Sequence, residues 1–287
     1  MGLTMLTVAL PIALAWMMYC VGLTLSLADF KRVGRYPLFI FSGLAAQLVG
    51  LPLIALALIH FFGLPEVVAV GLWLLALAPG GASSNVITHL SGGNAALSIS
   101  MTAVSSLIIP FSLPLLLPVV LSDSQLVLPL KTAILQLIMV TLVPVSIGMI
   151  CHHVGRGKWF ASFAKWAGRS SIWVLMFTVA ITLAANSQVF QQLFSSASIV
   201  AIALCLLGMT LGIIVARLLK GGEVLTKTLA IEVGIQNAGT AIFVAVVQLG
   251  QPELALTPLL YGVLMNIPVA VMIFRHQRGA LRSLFAR

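Results

Sequence analysis

The residues best able to do chemistry lie in one apolar stretch, from Thr228 to Thr240. This stretch contains Glu232, an acidic residue deep inside an otherwise apolar segment, and Gln236 and Asn237 follow it. An ionisable group in such a segment is costly to bury, so it indicates a functional site with a partner. Oxygen donors without thiolates or clustered histidines suit a hard cation such as Na⁺ and suit transition metals poorly. The alternative is a carboxylic acid that burial keeps neutral.

A second polar group follows a break signal in another apolar stretch. Pro79, Gly80 and Gly81 interrupt the segment 66–91, because proline removes a backbone donor and glycine relaxes the φ restriction. We expect the helix to restart near Ala82. The polar residues after the break are Ser83, Ser84, Asn85 and Thr88. Carbonyl groups freed at a break can bind a cation, while the restarted helix presents N–H groups and a positive dipole end to an anion.

Other polar side chains interrupt the neighbouring apolar segments. Gln47 lies in the segment 38–60, and a row of hydroxyl residues lies in the segment 94–120. These are Ser98, Ser100, Thr102, Ser105 and Ser106. Hydroxyl residues in membrane helices commonly serve packing and interhelical hydrogen bonds, which is our interpretation of Ser100, Ser105 and Ser106. We interpret the amide side chains of Asn85, Gln236 and Asn237 as functional, because an amide is costly to bury without hydrogen-bond partners.

The composition places these groups in a membrane protein. Of the 287 residues, 61% are hydrophobic and 7% are charged, and the mean hydropathy is +1.16. These values lie outside the range of a soluble globular domain. The net charge of +9 does not indicate nucleic acid, because the basic residues flank apolar runs instead of forming one stripe. Cys20, Cys151 and Cys205 have no metal-binding or disulfide spacing.

A window of about 20 apolar residues per crossing predicts an all-α polytopic membrane protein with about nine transmembrane helices. The predicted segments are 3–27, 38–60, 66–91, 94–120, 128–152, 171–187, 196–219, 224–249 and 253–274. The sixth could begin earlier, near Phe160. Loops rich in Lys and Arg follow segments one, five, seven and nine. Since such loops stay in the cytoplasm, the sequence predicts an N-terminus outside and a C-terminus in the cytoplasm.

The order of the segments predicts inverted repeats. Because five crossings separate segment three from segment eight, the two interrupted segments run in opposite directions. Segments one to four and six to nine then form two repeats, with segment five as connector. Interrupted helices at corresponding positions of two halves are typical of the midplane binding site of secondary transporters. The break in segment eight is the weaker signal, because it has Gly234 and Gly239 but no proline.

Other functional classes fit less well. An enzyme would need paired carboxylates or a metal cluster, and neither D-D-x-x-D nor H-E-x-x-H occurs, so we expect no enzymatic activity. A receptor or channel would not need two interrupted helices. A proton-coupled or uncoupled anion carrier remains an alternative, in which Glu232 titrates instead of binding Na⁺.

Over nearly its whole length the chain resembles the bile acid/sodium symporters, or BASS transporters. The motifs are Gly22-Leu-Thr-Leu-Ser-Leu-Ala-Asp-Phe30, Ala78-Pro-Gly-Gly-Ala-Ser-Ser-Asn85, Gly93-Asn-Ala-Ala-Leu-Ser98 with Thr102, and Ile231-Glu-Val-Gly-Ile-Gln-Asn-Ala-Gly239. The resemblance implies a core domain with two crossed, discontinuous helices and a panel domain that rocks against it. The panel-type helices would be about 3–27, 128–152 and 171–187. The core-type helices would be about 38–60, 66–91, 94–120, 196–219, 224–249 and 253–274.

The resemblance also implies which residues bind ligands. One sodium site would use Ser84, Asn85, Ser98, Thr102 and Glu232. A second would use Gln47, Gln236 and the Glu232 region, with the backbone oxygens of Val233 and Ile235. The candidates for substrate binding are Ala82, Ser83, Asn237, Ala238 and Asn266. The expected ligands are two Na⁺ and an organic anion, with membrane lipid around the protein and no organic cofactor, nucleic acid or obligate protein partner.

The identity of the anion stays open. Two Na⁺ and one carboxylate leave about one surplus positive charge, which a monoanion would neutralise in a low-dielectric cavity. Candidates are small carboxylates, such as pantoate or a 2-oxo acid, and bile-acid-like anions. Ala82 stands where some members of the family carry a hydroxyl, and Met265 stands where some bile-acid-binding members carry a histidine, which argues against bile acid itself. Few aromatic residues lie near the two breaks, which favours a small carboxylate. The expectation is therefore sodium-coupled import by alternating access across a plasma membrane, with a bacterial inner membrane favoured.

Overall fold

The computed structural model describes residues 2–121, 128–185 and 195–285, and these residues are almost entirely helical. The helices are α1 (Gly2–Gly22), α2 (Leu27–Arg32), α3 (Pro37–Phe62), α4 (Glu66–Ala76), α5 (Ala82–Leu90), α6 (Ala95–Val120), α7 (Leu130–Val154), α8 (Gly157–Ala185), α9 (Ser196–Leu218), α10 (Glu223–Gly234), α11 (Ala238–Gln248), α12 (Leu256–Leu264) and α13 (Asn266–Phe285). A 3₁₀ turn, Pro252–Ala255, precedes α12.

Several of these helices can cross a membrane by length and composition. Within the described part of the chain, five stretches pass this test. They are Pro37–Phe62, Ala95–Val120, Leu130–Val154, Ser196–Leu218 and Pro252–Arg278. A bent pair, Thr7–Gly22 with Leu27–Arg35, would make a sixth, and its two parts meet at 69°. The apolar helices α4 and α11 are shorter, because each forms one half of an interrupted segment.

The first predicted segment extends to residue 27, but α1 ends at Gly22. The Thr24 hydroxyl donates to the carbonyl oxygen of Val21 at 2.7 Å, which turns the chain out of the helix. A new helix then begins with a capping box, in which the backbone N–H of Ser26 donates to Asp29 at 2.8 Å. A hydropathy window does not detect this corner, because the residues on both sides of it are apolar.

The sixth predicted segment, 171–187, begins earlier in the structure, close to the alternative start near Phe160, and residues 186 and 187 lie outside the described part. Helix α8 begins at Gly157. Its first turns carry exposed Lys158, Lys165 and Arg169, and these charges lower the hydropathy of the window. The turns are nevertheless held in place, because Phe160, Phe163 and Ala167 pack against Cys20 and Leu23 of the first helix.

Two buried polar residues lie where an α-helix widens into a single turn of π-helix, called a π-turn below. Gln47 is in the π-turn Ala46–Gly50 of α3, and Thr141 is in the π-turn Ile138–Leu142 of α7. Both side chains are buried, with 0% and 4% of their surface exposed. A π-turn frequently marks a functional site, because the extra residue changes the direction of the side chains around it.

Two glycines of α9 allow it to approach α10 backbone to backbone. On α9, a methyl group built at Gly212 would lie 2.6 Å from the carbonyl carbon of Leu229 and 2.8 Å from the nitrogen of Ala230. A methyl group at Gly208 would lie 3.0 Å from the carbonyl oxygen of Val233. Small residues at such spacing permit close packing of membrane helices. Helix α10, which carries Glu232, is therefore fixed against α9.

We predict that Gly212→Ala lowers the melting temperature of the purified protein in detergent. The added methyl group meets backbone atoms that cannot move aside, and overpacking of this kind costs about 1–3 kcal/mol. Gly168→Ala is the matched control, because Gly168 lies in α8 and a methyl group there would contact nothing within 4 Å. Equal melting temperatures for the two variants would contradict the close contact between α9 and α10.

Candidate functional site

The two interrupted segments meet at their breaks. Helix α4 ends at Ala76 and α5 begins at Ala82, while α10 ends at Gly234 and α11 begins at Ala238. The extended residues between them pair as a short antiparallel bridge between Pro79 and Gln236. The backbone N–H of Asn237 donates to the carbonyl oxygen of Ala78 at 2.9 Å. Backbone groups freed by one break are thus partly satisfied by the other, which is the condition for broken helices at membrane depth.

A cluster of side-chain oxygens surrounds Glu232, whose exposed surface is 0%. The Ser98 hydroxyl lies 2.5 Å from Glu232 Oε1 and 2.7 Å from Asn85 Oδ1. The Thr102 hydroxyl lies 3.1 Å from Asn85 Oδ1 and 3.3 Å from Glu232 Oε2. We call these four residues, contributed by α5, α6 and α10, the carboxylate cluster. The family resemblance implies all four, together with Ser84, as ligands of one sodium ion, and the structure brings the four together.

The carboxylate cluster has more acceptors than donors. Each hydroxyl can donate its one hydrogen to only one of its two oxygen neighbours. The Nδ2 donor of Asn85 is buried without a hydrogen-bond partner and does not contribute to the cluster. Lone pairs therefore converge without enough hydrogens between them. A hard cation would complete such an arrangement, because it binds carboxylate, amide and hydroxyl oxygens together.

Ser84 lies next to this cluster at the start of α5. Its buried hydroxyl donates to the carbonyl oxygen of Gly81 at 2.8 Å and also interacts with the Glu232 carboxylate. The serine thus connects the carboxylate cluster to the backbone of the first break.

A second group of oxygens is formed by two amide side chains beside α10. Gln47 donates through Nε2 to the carbonyl oxygen of Glu232 at 2.6 Å. Gln236 donates through Nε2 to the carbonyl oxygen of Val233 at 2.7 Å. In both residues the remaining oxygen, Oε1, is buried and has no partner. We call Gln47 and Gln236 the glutamine pair. Buried polar atoms without a partner are uncommon, so these two oxygens are candidate ligands for a cation.

Tyr261 supports the second break, and the sequence analysis did not identify it. Its fully buried hydroxyl, on α12, donates to the carbonyl oxygen of Gly234, which is the last residue of α10. In an unbroken helix this carbonyl would accept from a backbone N–H four residues later. The signal in the sequence was a lone tyrosine in an apolar segment, because a buried phenol normally finds a hydrogen-bond acceptor.

A narrow crevice lies on one side of the meeting point of the breaks. It is lined by Gly80, Gly81, Thr102, Ser106, Ile109, Asn237 and Thr240 on one wall, and by Met18, Val21 and Thr141 on the other. Its volume is about 10 Å³, which is room for roughly one water molecule. Thr240 contributes a buried hydroxyl without a partner. Asn237 caps α11, since its Oδ1 accepts from the N–H of Thr240 at 3.1 Å.

The predicted substrate residues fall into two groups. Ala82 and Ser83 begin α5, and Asn237 and Ala238 begin α11, so all four lie where a helix restarts. The positive dipole ends of these helices favour an anion, although the N–H groups of Asn237 and Ala238 already donate to the carbonyl oxygens of Ala78 and Gln236. Asn266 is separate from them: its side chain is exposed and its Nδ2 donates to the carbonyl oxygens of Gly262 and Val263. It is not among the residues that line the crevice.

Comparison with known proteins reveals a family match. The sequence profile of the Sodium Bile acid symporter family matches residues 11–193. The sodium-dependent transporter YocS of Bacillus subtilis is 34% identical over 233 residues, which make up 80% of this chain and 71% of that protein. The probable chloroplastic sodium/metabolite cotransporter BASS1 of Arabidopsis thaliana is 29% identical over 267 residues, 92% of this chain and 65% of that protein. The human ileal sodium/bile acid cotransporter is 28% identical over 286 residues, 94% of this chain and 76% of that protein.

We predict that Ser98→Ala lowers stability in sodium-free buffer more than a matched serine substitution does. A hydrogen bond to a charged group contributes about 1.5–3 kcal/mol, and the alanine variant also leaves the carboxylate less well solvated. Ser146→Ala is the control, because the exposed Ser146 hydroxyl donates only to its own helix, to the carbonyl oxygen of Leu142 at 2.8 Å. Thermal unfolding in detergent measures both. A Ser98 variant as stable as the control would contradict the contact with Glu232.

Proposed function

Because the chain belongs to the Sodium Bile acid symporter family, whose relatives include sodium-dependent transporters, we propose that it is a sodium-coupled symporter that imports an organic monoanion. The observation that carries this proposal is the carboxylate cluster, a buried acid surrounded by oxygens at the meeting point of two broken helices. The mechanism is alternating access, in which the ligand site opens to one side of the membrane at a time.

The first sodium ion would bind in the carboxylate cluster together with Ser84. Glu232 supplies the negative charge, and Asn85, Ser98 and Thr102 supply neutral oxygens. The short distances among these oxygens, from 2.5 to 3.3 Å, support this assignment. A cation that enters would let each hydroxyl turn its lone pair inward and its hydrogen outward.

The second sodium ion would bind at the glutamine pair. The two free Oε1 atoms are its side-chain ligands, and the backbone oxygens of Val233 and Ile235 would complete the site. The Nε2 atoms already hold carbonyl groups of α10, so both amides are fixed with their oxygens available. This group contains no titratable side chain, and it therefore favours sodium over the proton-coupled alternative.

The substrate would be a monoanion bound between the restarted helices α5 and α11. Two Na⁺ and one carboxylate leave about one surplus positive charge, and an anion beside them neutralises it. Ala82, Ser83, Asn237 and Ala238 lie at the positive dipole ends of the two restarted helices, with Asn266 as a more distant candidate. A small carboxylate such as pantoate or a 2-oxo acid suits this set best, and a bile-acid-like anion is the second candidate.

Transport would require two groups of helices, one on each side of the crevice, to move apart. A crevice of about 10 Å³ holds no organic anion, so the wall with Met18, Val21 and Thr141 must move from the wall with the breaks. We assign the moving wall to a panel of α1, α7 and α8, in which Gly22 and Gly148 bring α1 and α7 into backbone contact. The remaining membrane helices would form the core. Nine crossings in two inverted repeats would place both breaks at the midplane.

The basic loops set the proposed orientation. Lys31, Arg32 and Arg35 follow the first helix, and Arg217, Lys220 and Lys227 surround the connection from α9 to α10. Placing these loops in the cytoplasm puts the N-terminus outside and the C-terminus inside a plasma membrane. Import with two Na⁺ per monoanion then carries net positive charge inward.

The proposal is tested by uptake into proteoliposomes, with radiolabelled pantoate, a 2-oxo acid and a bile acid as probes. We predict uptake of at least one probe that is driven by a Na⁺ gradient, is increased by an inside-negative potential and is lost in Glu232→Gln. Glu253→Gln is the matched control, because Glu253 is exposed at a helix end. It should retain uptake.

Uptake driven by a pH gradient in the absence of Na⁺ would instead support the proton-coupled alternative. Sodium-driven uptake without an effect of membrane potential would contradict the ratio of two Na⁺ to one monoanion.

A further inference from the structure

An apolar groove lies on the surface of the molecule where α1, α7 and α11 meet. Its volume is about 300 Å³, at the lower end of the size of small-ligand pockets, which is roughly 300–1,000 Å³. Its walls are Pro11 of α1 and Phe243 and Val247 of α11, and its floor is a strip of α7. The groove shares no lining residue with the crevice at the breaks, so it is a separate site.

The floor of the groove changes from polar to apolar along α7. Thr132, Gln136 and Val140 form one row on the helix, and Leu135 and Met139 form a second row beside it. The two polar residues come first, near the start of α7, and the floor beyond them is apolar. Leu135 and Met139 have 53% and 63% of their surface exposed. The groove is therefore open to the surroundings of the helices, and its polarity suits an amphiphile.

A basic residue lies at the polar end of the groove. Lys131 precedes Leu135 by four residues and therefore lies on the same face of α7. Its side chain is exposed, and no ion pair joins it to another residue in the described part of the chain. Lys131 is also separate in the sequence from the basic loops that follow segments one, five, seven and nine. A negatively charged group at this end of the groove would be attracted to it.

The length of the groove matches one leaflet of a membrane. Helix α7 can cross a membrane from Leu130 to Val154, so Lys131 lies at the membrane boundary. Lys131 and Met139 are separated by about 12 Å along the helix axis, at about 1.5 Å per residue. The hydrocarbon region of one leaflet is about 15 Å deep, half of a core of about 30 Å. An acyl chain that begins at the headgroup level would therefore extend along the whole groove.

We propose that the groove binds one anionic phospholipid, with its phosphate at Lys131 and one acyl chain between α1, α7 and α11. This site does not depend on the proposed symport, but it has a consequence for it. Helices α1 and α7 are assigned to the panel and α11 to the core, so the bound chain contacts both groups of helices. Because the walls of the groove part when these groups move apart, the lipid favours the arrangement in which the crevice is closed.

The test uses proteoliposomes of phosphatidylcholine with a trace of a photoactivatable lipid. The probe carries a diazirine in its acyl chain and has a phosphatidylglycerol or a phosphatidylcholine headgroup, and peptide mass spectrometry measures the label on residues 135–140. We expect phosphatidylglycerol to label these residues about fivefold more than phosphatidylcholine does, since one lysine near the membrane surface attracts anionic lipid by about 1 kcal/mol. In Lys131→Gln the two probes should label them equally.

Lys158→Gln is the matched control, because Lys158 is an exposed lysine in the first turn of α8. This variant should keep the fivefold preference. Leu135→Trp is a second variant, which fills the groove and should lower the label from both probes. Its control is Leu53→Trp on α3, where the replaced leucine is 59% exposed.

Equal labelling by the two probes in the wild type, or an unchanged preference in Lys131→Gln, would show only unselective surrounding lipid and would overturn the site. A groove that takes no label from either probe would also overturn it, because protein, such as a second copy of the chain, would then cover the groove.

Discussion

The structure depends on how the buried carboxylate of Glu232 is compensated. The side chain is fully buried, and within the described residues no Lys, Arg or His forms an ion pair with it. A buried charge costs several kcal/mol unless a partner or hydrogen bonds offset the lost hydration. Here the nearest groups are two hydroxyls, which can donate to the carboxylate without neutralising it, and an amide oxygen of Asn85, which only accepts. In the proposed function Na⁺ supplies the missing charge, and the affinity for the ion originates in this imbalance.

The backbone groups at the two breaks are also compensated by hydrogen bonds from nearby residues. Each break frees carbonyl and N–H groups, and they are satisfied from nearby: the N–H of Asn237 donates to Ala78, the Tyr261 hydroxyl donates to Gly234, and the glutamine pair donates to carbonyls of α10. The two amides thus serve the backbone with nitrogen and leave oxygen for a ligand. The glutamine pair supplies both the support of the broken backbone and the proposed ligands of the ion. Binding of an ion would therefore be coupled to the position of the breaks. Symport requires such coupling between ion and substrate.

Much of this arrangement could be predicted from the sequence, because its signals are local. Pro79 with two glycines predicts a break, and a lone acid in an apolar segment predicts a site. The corner after Gly22 could not be read from hydropathy, since side-chain capping determines it, and hydropathy left the start of α8 open between Phe160 and residue 171, since aromatic packing holds its first turns. Nor could the sequence show that Tyr261 reaches Gly234, because this contact depends on the packing of α12 against the end of α10. The bonds of Asn266 to Gly262 and Val263 near the end of α12 are local, but hydropathy gives no information about them.

The central claim is that the carboxylate cluster and the glutamine pair each bind one sodium ion. Its most direct test is the number of ²²Na⁺ ions bound per purified protein at saturation, with Gln47→Leu as a variant of the glutamine pair and Thr257→Val as a matched buried control. The account predicts two ions for the wild type and the control, one for Gln47→Leu, and retention of the ion at Glu232 in that variant. A wild-type protein that binds no Na⁺, or a Gln47 variant that still binds two ions, would contradict it.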